Sequence, residues 1–182
     1  MVEFRGWPKI ARLNRDIIIT EKIDGTNACV VVTPDGEVAA QSRTRIITPD
    51  KDNFGFAAWV CANADILRAL LGPGYHYGEW WGAGIQRGYG KKTKTFSLFI
   101  TSLWSSLWQN ALPDLSVVPV LYAGPFSQLA IDHALESLRV NGSQAAPGFM
   151  RPEGIVVYHT AARVSFKVTL EGDATGKGDD DA

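Results

Sequence analysis

Little in this sequence ties it to a membrane, a metal cage or an oxidising compartment. It has only two cysteines, Cys29 and Cys61, without CxxC spacing. Both sit in apolar stretches and read as reduced core thiols, which argues against a disulfide framework or a thiolate metal site. The three histidines, His76, His133 and His159, have neither triad nor zinc-site spacing, and none is assigned a role. No apolar run approaches the roughly 20 residues that a membrane helix needs. The opening, MVEFRGWPKIARLNRD, is interrupted by charges and a proline and does not resemble a signal peptide. An excess of positive charge is missing as well: 18 Lys and Arg face 19 Asp and Glu, for a net charge of −1. No global basic field therefore announces a nucleic-acid partner. No internal repeat is found. These absences leave a monomeric, cytoplasmic protein with no membrane partner as the expectation.

What is present suits one domain. A chain of 182 residues, 46% of them hydrophobic, can bury a real core but not two full modules. Strand signals dominate. Residues 16–23 form a β-branched run, and 28–33 with 37–41 bracket Pro34-Asp35-Gly36, a hairpin turn. Further strands are expected over 75–80, 95–100, 117–123, 154–159 and 163–169. Residues 56–71 carry Trp59, Val60, Ile66, Leu67 and Leu70 at helical spacing and stop before Gly72-Pro73-Gly74. Residues 127–140 open on Ser127 as a cap and place Leu129, Ile131, Leu135 and Leu138 mostly on one face. Strand following strand with two helices predicts an α+β fold with largely antiparallel sheets. Residues 1–171 are read as the domain, and the Gly- and Asp-rich residues 172–182 as a disordered acidic tail. Positive charge gathers at Arg43 and Arg45, and again at Arg87, Lys91, Lys92 and Lys94. Each group reads either as solvated surface or as part of a nucleic-acid groove.

The chemistry lies in Glu21-Lys22-Ile23-Asp24-Gly25-Thr26-Asn27. Alone, Lys-x-Asp-Gly is a solvated turn between two strands. Four further blocks follow in order, however: Ser42-Arg43, then Tyr77-Gly78-Glu79-Trp80-Trp81-Gly82, then Glu153-Gly154-Ile155-Val156-Val157-Tyr158, then Phe166-Lys167-Val168. The ordered set resembles the RNA ligase family, part of the superfamily of covalent nucleotidyltransferases that also holds DNA ligases and mRNA capping enzymes. The resemblance runs from about Ile19 to Glu171. Its most specific parts are EKIDGTN and GEWWGAGIQRGYG, with Phe96-Ser97-Leu98-Phe99 as the aromatic strand. It implies a nucleotidyltransferase (ligase adenylation) domain with antiparallel sheets around a nucleotide groove. It also implies an ATP-dependent ligase that joins 3′-OH and 5′-phosphate ends through a lysyl-AMP intermediate.

The residue types fit that chemistry. A lysine amine forms a phosphoramidate with the α-phosphorus of ATP and later releases AMP. A free lysine, with a pKa of ~10.4, is protonated near neutrality, so a nearby cation or desolvation must free its lone pair. The resemblance implies Lys22 as nucleophile and Glu153 and Lys167 as further catalytic residues, with Glu153 holding Mg²⁺ (or Mn²⁺). It places Lys167 against the nucleotide, Arg43 and Glu79 around the ribose and later the incoming 5′-phosphate, and Asn27 near sugar and phosphate. It stacks Phe99 on adenine. Stacking is blind to base identity, so Glu21 and nearby backbone are expected to read adenine by hydrogen bonds. Trp80 and Trp81 fall on opposite strand faces, one in the core and the other on the groove floor. Phe96 reads as core.

Two departures from the family pattern stand out. Its last motif is usually Lys-x-Lys, whereas here it is Ser165-Phe166-Lys167, with Arg163 as the substitute cation. The motifs also run almost to the end of the sequence, while many relatives continue into a C-terminal domain. The motifs therefore argue for self-adenylylation more than for efficient sealing. RNA, in a nicked duplex rather than as free ends, is the expected partner. The rivals are a minimal DNA ligase, a capping guanylyltransferase and a non-catalytic binding relative. The GEWWGAGIQ block weighs against the second, and intact Lys22, Arg43, Glu79, Glu153 and Lys167 against the third.

Overall fold

In Asp16–Lys22 (β1) isoleucines alternate between full and partial burial, so one strand face demands cover. A computed structural model, which describes residues 2–103 and 111–171, shows how that cover is supplied. β1 pairs antiparallel with β8 (Val120–Pro125) and β9 (Gly154–His159), and β9 pairs with β10 (Val164–Thr169). The sheet order is β10-β9-β1-β8. Ser127 Oγ accepts from the Ala130 N–H at 3.3 Å and so caps α3 (Gln128–Asn141). Ile131, Ala134 and Leu138 of that helix pack on Ile17, Ile19, Ile155 and Val157. One face of the four-stranded sheet is thereby sealed. The other, carrying Thr20, Lys22, Val156 and Lys167, is left for a site.

The second sheet holds β2 (Thr26–Val32), β3 (Val38–Ser42), β4 (Ile46–Ile47), β5 (Gly74–Gly82), β6 (Lys94–Leu98) and β7 (Leu115–Val117). Their order is β4-β3-β2-β5-β6-β7. Helices α1 (Phe56–Ala62) and α2 (Ala64–Leu71) cover one face, where Phe56 packs 5.4 Å from Trp80 and 5.0 Å from Phe96 between ring centroids. The α+β fold with mainly antiparallel sheets is as expected. β6 and β7, which pair in parallel, are the exception.

Three local expectations need correction. The helix expected over 56–71 is two helices, because the Asn63 N–H turns back to the carbonyls of Trp59 and Val60 while its own carbonyl starts α2 by accepting from Leu67. The strand expected over 117–123 is split around Pro119, which has no N–H to give a ladder. The chain crosses from one sheet to the other there, and the Pro119 carbonyl accepts from the Glu21 N–H at 2.9 Å. Cys61 is exposed rather than in the core, whereas Cys29 is buried. The expected tail, 172–182, lies outside the described residues. Among those described, no helix is long and apolar enough to cross a membrane.

Candidate active site

β1 passes into β2 through residues 23–25, and this crossing is held from several sides. A Cβ on Gly25 would lie 2.5 Å from the Trp80 carbonyl oxygen and 2.7 Å from Trp81 Cβ, so only glycine lets the turn lie against β5. The Gly25 N–H donates to Glu79 Oε1 at 3.1 Å. The Asp24 N–H donates to Tyr89 Oη at 2.9 Å, and Arg87 Nε donates to Asp24 Oδ2 at 3.0 Å. Arg87 also donates from Nη1 to the Arg151 carbonyl at 3.2 Å and stands 3.7 Å from Glu171 Oε2. The Tyr89 ring is clamped between Trp81 at 5.1 Å and Phe149 at 4.6 Å, and burial pushes its phenol well above the ordinary range, keeping it neutral. The GAGIQRGYG segment thus works as a clasp on the lysine-bearing turn.

Lys22 lies at the end of β1 opposite Gly154, where a Cβ would collide with the Val168 carbonyl oxygen. Its Nζ donates to Glu153 Oε2 at 2.6 Å, with the two side chains 25% and 18% exposed. Glu79 stands nearby. Burial pushes its carboxyl up to about 7 from an ordinary 4.5, while the Lys22 charge and the Gly25 N–H pull it back and the Glu153 and Asp24 carboxylates push it further up. Asn27 pairs with Glu79, and Glu79 with Ser97, across three adjacent strands, so these side chains share one sheet face. An open cavity of about 430 Å³ is lined by Lys22, Asn27, Arg43, Arg45, Asn53 and Glu79, among others. Four of the residues singled out from the sequence therefore meet in one cavity.

The remaining ones stand around it. Lys167 pairs with Val156, and Val156 with Thr20, so Lys167 shares the uncovered face with Lys22, one row along and one strand beyond β9. Ladder spacing puts their Cα atoms about 12 Å apart. Ser165 is on the same face, opposite Tyr158, and both Ser165 and Lys167 are exposed. Phe99, whose N–H donates to the Tyr77 carbonyl at 3.0 Å, continues the face of Glu79 and is 41% exposed. Phe96 is core. Trp80 is core too, but Trp81 does not floor an open groove: it is fully buried, with Nε1 donating to Ser97 Oγ at 2.7 Å.

Glu21 is the clearest correction. Its side chain points to the covered face of β1 and is only 1% exposed. Both carboxylate oxygens are taken: Ser143 Oγ donates at 2.6 Å, and the N–H groups of Gln144 and Ala145 donate at 2.8 and 2.9 Å. Burial pushes its carboxyl up, with those three donors opposing. The carboxylate holds the loop after α3 and is not free to read a base. The basic group at 87–94 is corrected in the same way. Arg87 is spent on Asp24, Lys91 lies 4.5 Å over the Trp81 ring, and Lys94 donates to the Phe54 carbonyl at 2.7 Å. Of the four, Lys92 alone projects as simple exposed charge. Sequence reasoning missed Asp24, Arg87 and Tyr89 as a unit, although GxGIQxxYG was there to suggest it. It also missed Asn53, whose Nδ2 donates to Thr26 Oγ1 at 2.9 Å and which no motif marks.

Comparison with known proteins bears on the family and the fold. The RNA ligase family model matches residues 15–169. No curated protein sequence matches the chain. Among solved structures, a variant of Naegleria gruberi RNA ligase with ATP and Mn is similar at 21% identity and a TM-score of 0.61, over 86% of this chain and 50% of that one. Another variant, with AMP and Mn, is similar at 20% identity and a TM-score of 0.58, with the same coverage. An archaeal ATP-dependent RNA ligase is similar at 20% identity and a TM-score of 0.57, over 91% of this chain and 48% of that one. The chain thus spans about half the length of these ligases. With the ordered motifs, the cavity and the family match over 15–169 in agreement, the chain belongs to the RNA ligase family.

Proposed function

We propose that this chain is the adenylyltransferase portion of an ATP-dependent RNA ligase, with Lys22 as the residue that carries AMP. The observation that carries the reading is the pairing of Lys22 Nζ with Glu153 at 2.6 Å beside the cavity that Asn27, Arg43 and Glu79 line. In the first step the Lys22 amine attacks the α-phosphorus of ATP, a P–N bond forms and pyrophosphate leaves. A 5′-phosphate oxygen of RNA then attacks the same phosphorus, and the lysine amine departs. Last, a 3′-hydroxyl attacks the activated 5′-phosphorus and AMP leaves.

Each side chain has a task in that sequence. The crossing turn, clasped by Arg87 and Tyr89, fixes where Nζ projects, which is the orientation term of catalysis. The ammonium must lose its proton before attack, so the ion pair with Glu153 has to open as substrate enters. Arg43 suits a bidentate grip on phosphate, and Glu79 accepts from ribose hydroxyls while its other oxygen braces Gly25. Phe99 offers an exposed ring for adenine, and Lys167 a second cation on the lysine's own sheet face. No group of three or more His, Cys, Asp or Glu among the described residues could hold a metal alone. That suits Mg²⁺ or Mn²⁺, which keeps waters and uses one or two carboxylates plus substrate phosphates. Glu153 would hold it, and the ion would neutralise charge on the α-phosphate and the leaving pyrophosphate. A cytoplasmic location fits two unpaired thiols.

Lys167, exposed on the same sheet face as Lys22, supports self-adenylylation, with Ser165 leaving the first cation of the last motif missing. A complementary strand aligns the two ends, so a nicked duplex is the expected substrate. The test uses four nicks, with RNA or DNA on each side of the break and the 5′ end already adenylylated. Fastest sealing with ribose at the 3′-OH side supports the reading. Faster sealing of the all-DNA nick would reassign the chain as a DNA ligase.

A further inference from the structure

The leading segment, residues 2–15, lies almost entirely ahead of the part that the family model matches. It forms no strand or helix, and its residues are exposed. Phe4, Trp7 and Ile10 are 96%, 87% and 86% exposed, and Leu13, next in the same three-residue spacing, is 62% exposed. A period of three lines up along one edge of an extended, polyproline-like chain, a conformation that Pro8 favours. Arg5, Lys9, Arg12 and Arg15 alternate with these residues, against the single carboxylate of Glu3. A chain of net charge −1 thus keeps a concentrated run of positive charge here, interleaved with aromatic rings.

The cations at 87–94, by contrast, are mostly committed inward. A polyanionic substrate therefore meets free positive charge at Arg43 and Arg45 in the cavity, at exposed Lys92 and Lys167, and as a run of four cations along this segment. Its base is fixed: the Leu13 carbonyl pairs with His159 Nε2 at 2.8 Å, and the Arg15 carbonyl accepts from the Phe126 N–H at 3.0 Å. From there the seven residues of β1 lead roughly 20 Å to Lys22. Fully extended, the eleven residues ahead of that anchor, 2–12, reach about 36 Å. The segment can therefore reach a strand bound beside Lys22.

We infer that residues 2–15 are a nucleic-acid-holding strap: Arg5, Lys9 and Arg12 grip the phosphate backbone of the RNA substrate, and Trp7 stacks on an unpaired base beside the join. The inference rests on the ligase reading for its substrate class. Charge complementarity favours RNA over an apolar partner, and a basic strap with aromatic rings gives sequence-tolerant binding that weakens with salt.

The test uses the full chain and a fluorescent nicked RNA duplex with a single-stranded overhang. Binding is measured by anisotropy across a salt series, and labelling of the protein by α-labelled ATP is measured separately. Replacing Arg5, Lys9 and Arg12 together by serine should weaken binding about tenfold or more at low salt and flatten the log–log salt slope by about 2–3. Trp7→Ala should weaken binding about fivefold or more on the overhang substrate and little on a blunt one. Both variants should take up AMP like the parent, which also certifies their fold. Unchanged RNA affinity in the triple variant would overturn the inference, even with ATP labelling intact. So would a parent dimer that Trp7→Ala dissociates, or capture by anionic vesicles that the triple variant loses while its RNA binding stays the same. Absent ATP labelling in the parent would instead defeat the ligase reading, and the binding comparison would still decide this one.

Discussion

Lys22 and Lys167 share one face of one sheet and live in opposite circumstances. Lys22 is largely enclosed, paired with Glu153 at 2.6 Å and mounted on a turn that Gly25, Asp24, Tyr89 and Arg87 pin in place. Lys167 is exposed on β10, the edge strand of its sheet. The contrast separates two jobs. A nucleophile must be aimed before substrate arrives, because misplacement by an ångström can cost orders of magnitude. A charge that only stabilises a developing phosphate can be drawn in by the phosphate itself.

Removing the carboxylate that pairs with the first lysine, and that would hold the metal, should have the largest effect. Glu153→Gln keeps the shape but loses the charge, and should slow self-adenylylation roughly 100-fold, most severely at limiting Mg²⁺. A normal rate at limiting Mg²⁺ would strip Glu153 of its metal role. Lys167→Ala should slow the same step by a smaller factor, roughly tenfold, measured as the single-turnover rate with ATP. The companion Ser165→Lys places a second cation on the open face and should hold or raise that rate. A large fall there would mean that the groove is built differently from its relatives.

The clasp predicts something finer. Tyr89→Phe keeps the ring between Trp81 and Phe149 but removes the acceptor for the Asp24 N–H, at a cost of about 1 kcal/mol. Adenylylation should slow about fivefold with little change in the ATP concentration needed for half-maximal rate. An equal loss in ATP affinity would mean that Tyr89 serves the cavity at large rather than the turn.

The smallest expected effect is on stability. Glu79 has a folded value of about 7 against an ordinary 4.5, so the folded state keeps a proton that the unfolded chain gives up. Its contribution is fully present below about pH 4.5 and is lost as pH rises through 7. Glu79→Gln should accordingly lose less of its Tm across that window than the parent. Glu21 is shifted in the same direction in both proteins, so the difference reports Glu79 alone. Parallel Tm curves would show that Glu79 is not held protonated by burial.

Strands were the most legible part of the sequence, because β-branched runs and Pro34-Asp35-Gly36 are local signals. Residues 154–159 were placed as they stand. The helix break at Asn63 was hidden because α1 and α2 bury one continuous apolar face, so the period of Trp59, Val60, Leu67 and Leu70 runs through it. The switch of sheets at Pro119 was hidden because both halves are β-prone, and which sheet each joins depends on distant partners. At the site, residue types and order brought Lys22, Asn27, Arg43 and Glu79 into view, and these do meet in one cavity. Glu21, expected at the base, and Arg87, expected on solvated surface or in a nucleic-acid groove, differ from expectation for one physical reason. Each is consumed by backbone or side-chain partners far away in sequence, which no local pattern reveals.

The central claim is that Lys22 is the AMP carrier. The direct test incubates the protein with Mg²⁺ and α-labelled ATP or GTP, denatures it, and maps any retained label by peptide mass. The account predicts label from ATP and not from GTP, on the peptide that contains Lys22, stable to denaturation and absent from Lys22→Ala. Label that survives in Lys22→Ala, or that maps to another residue, would contradict it.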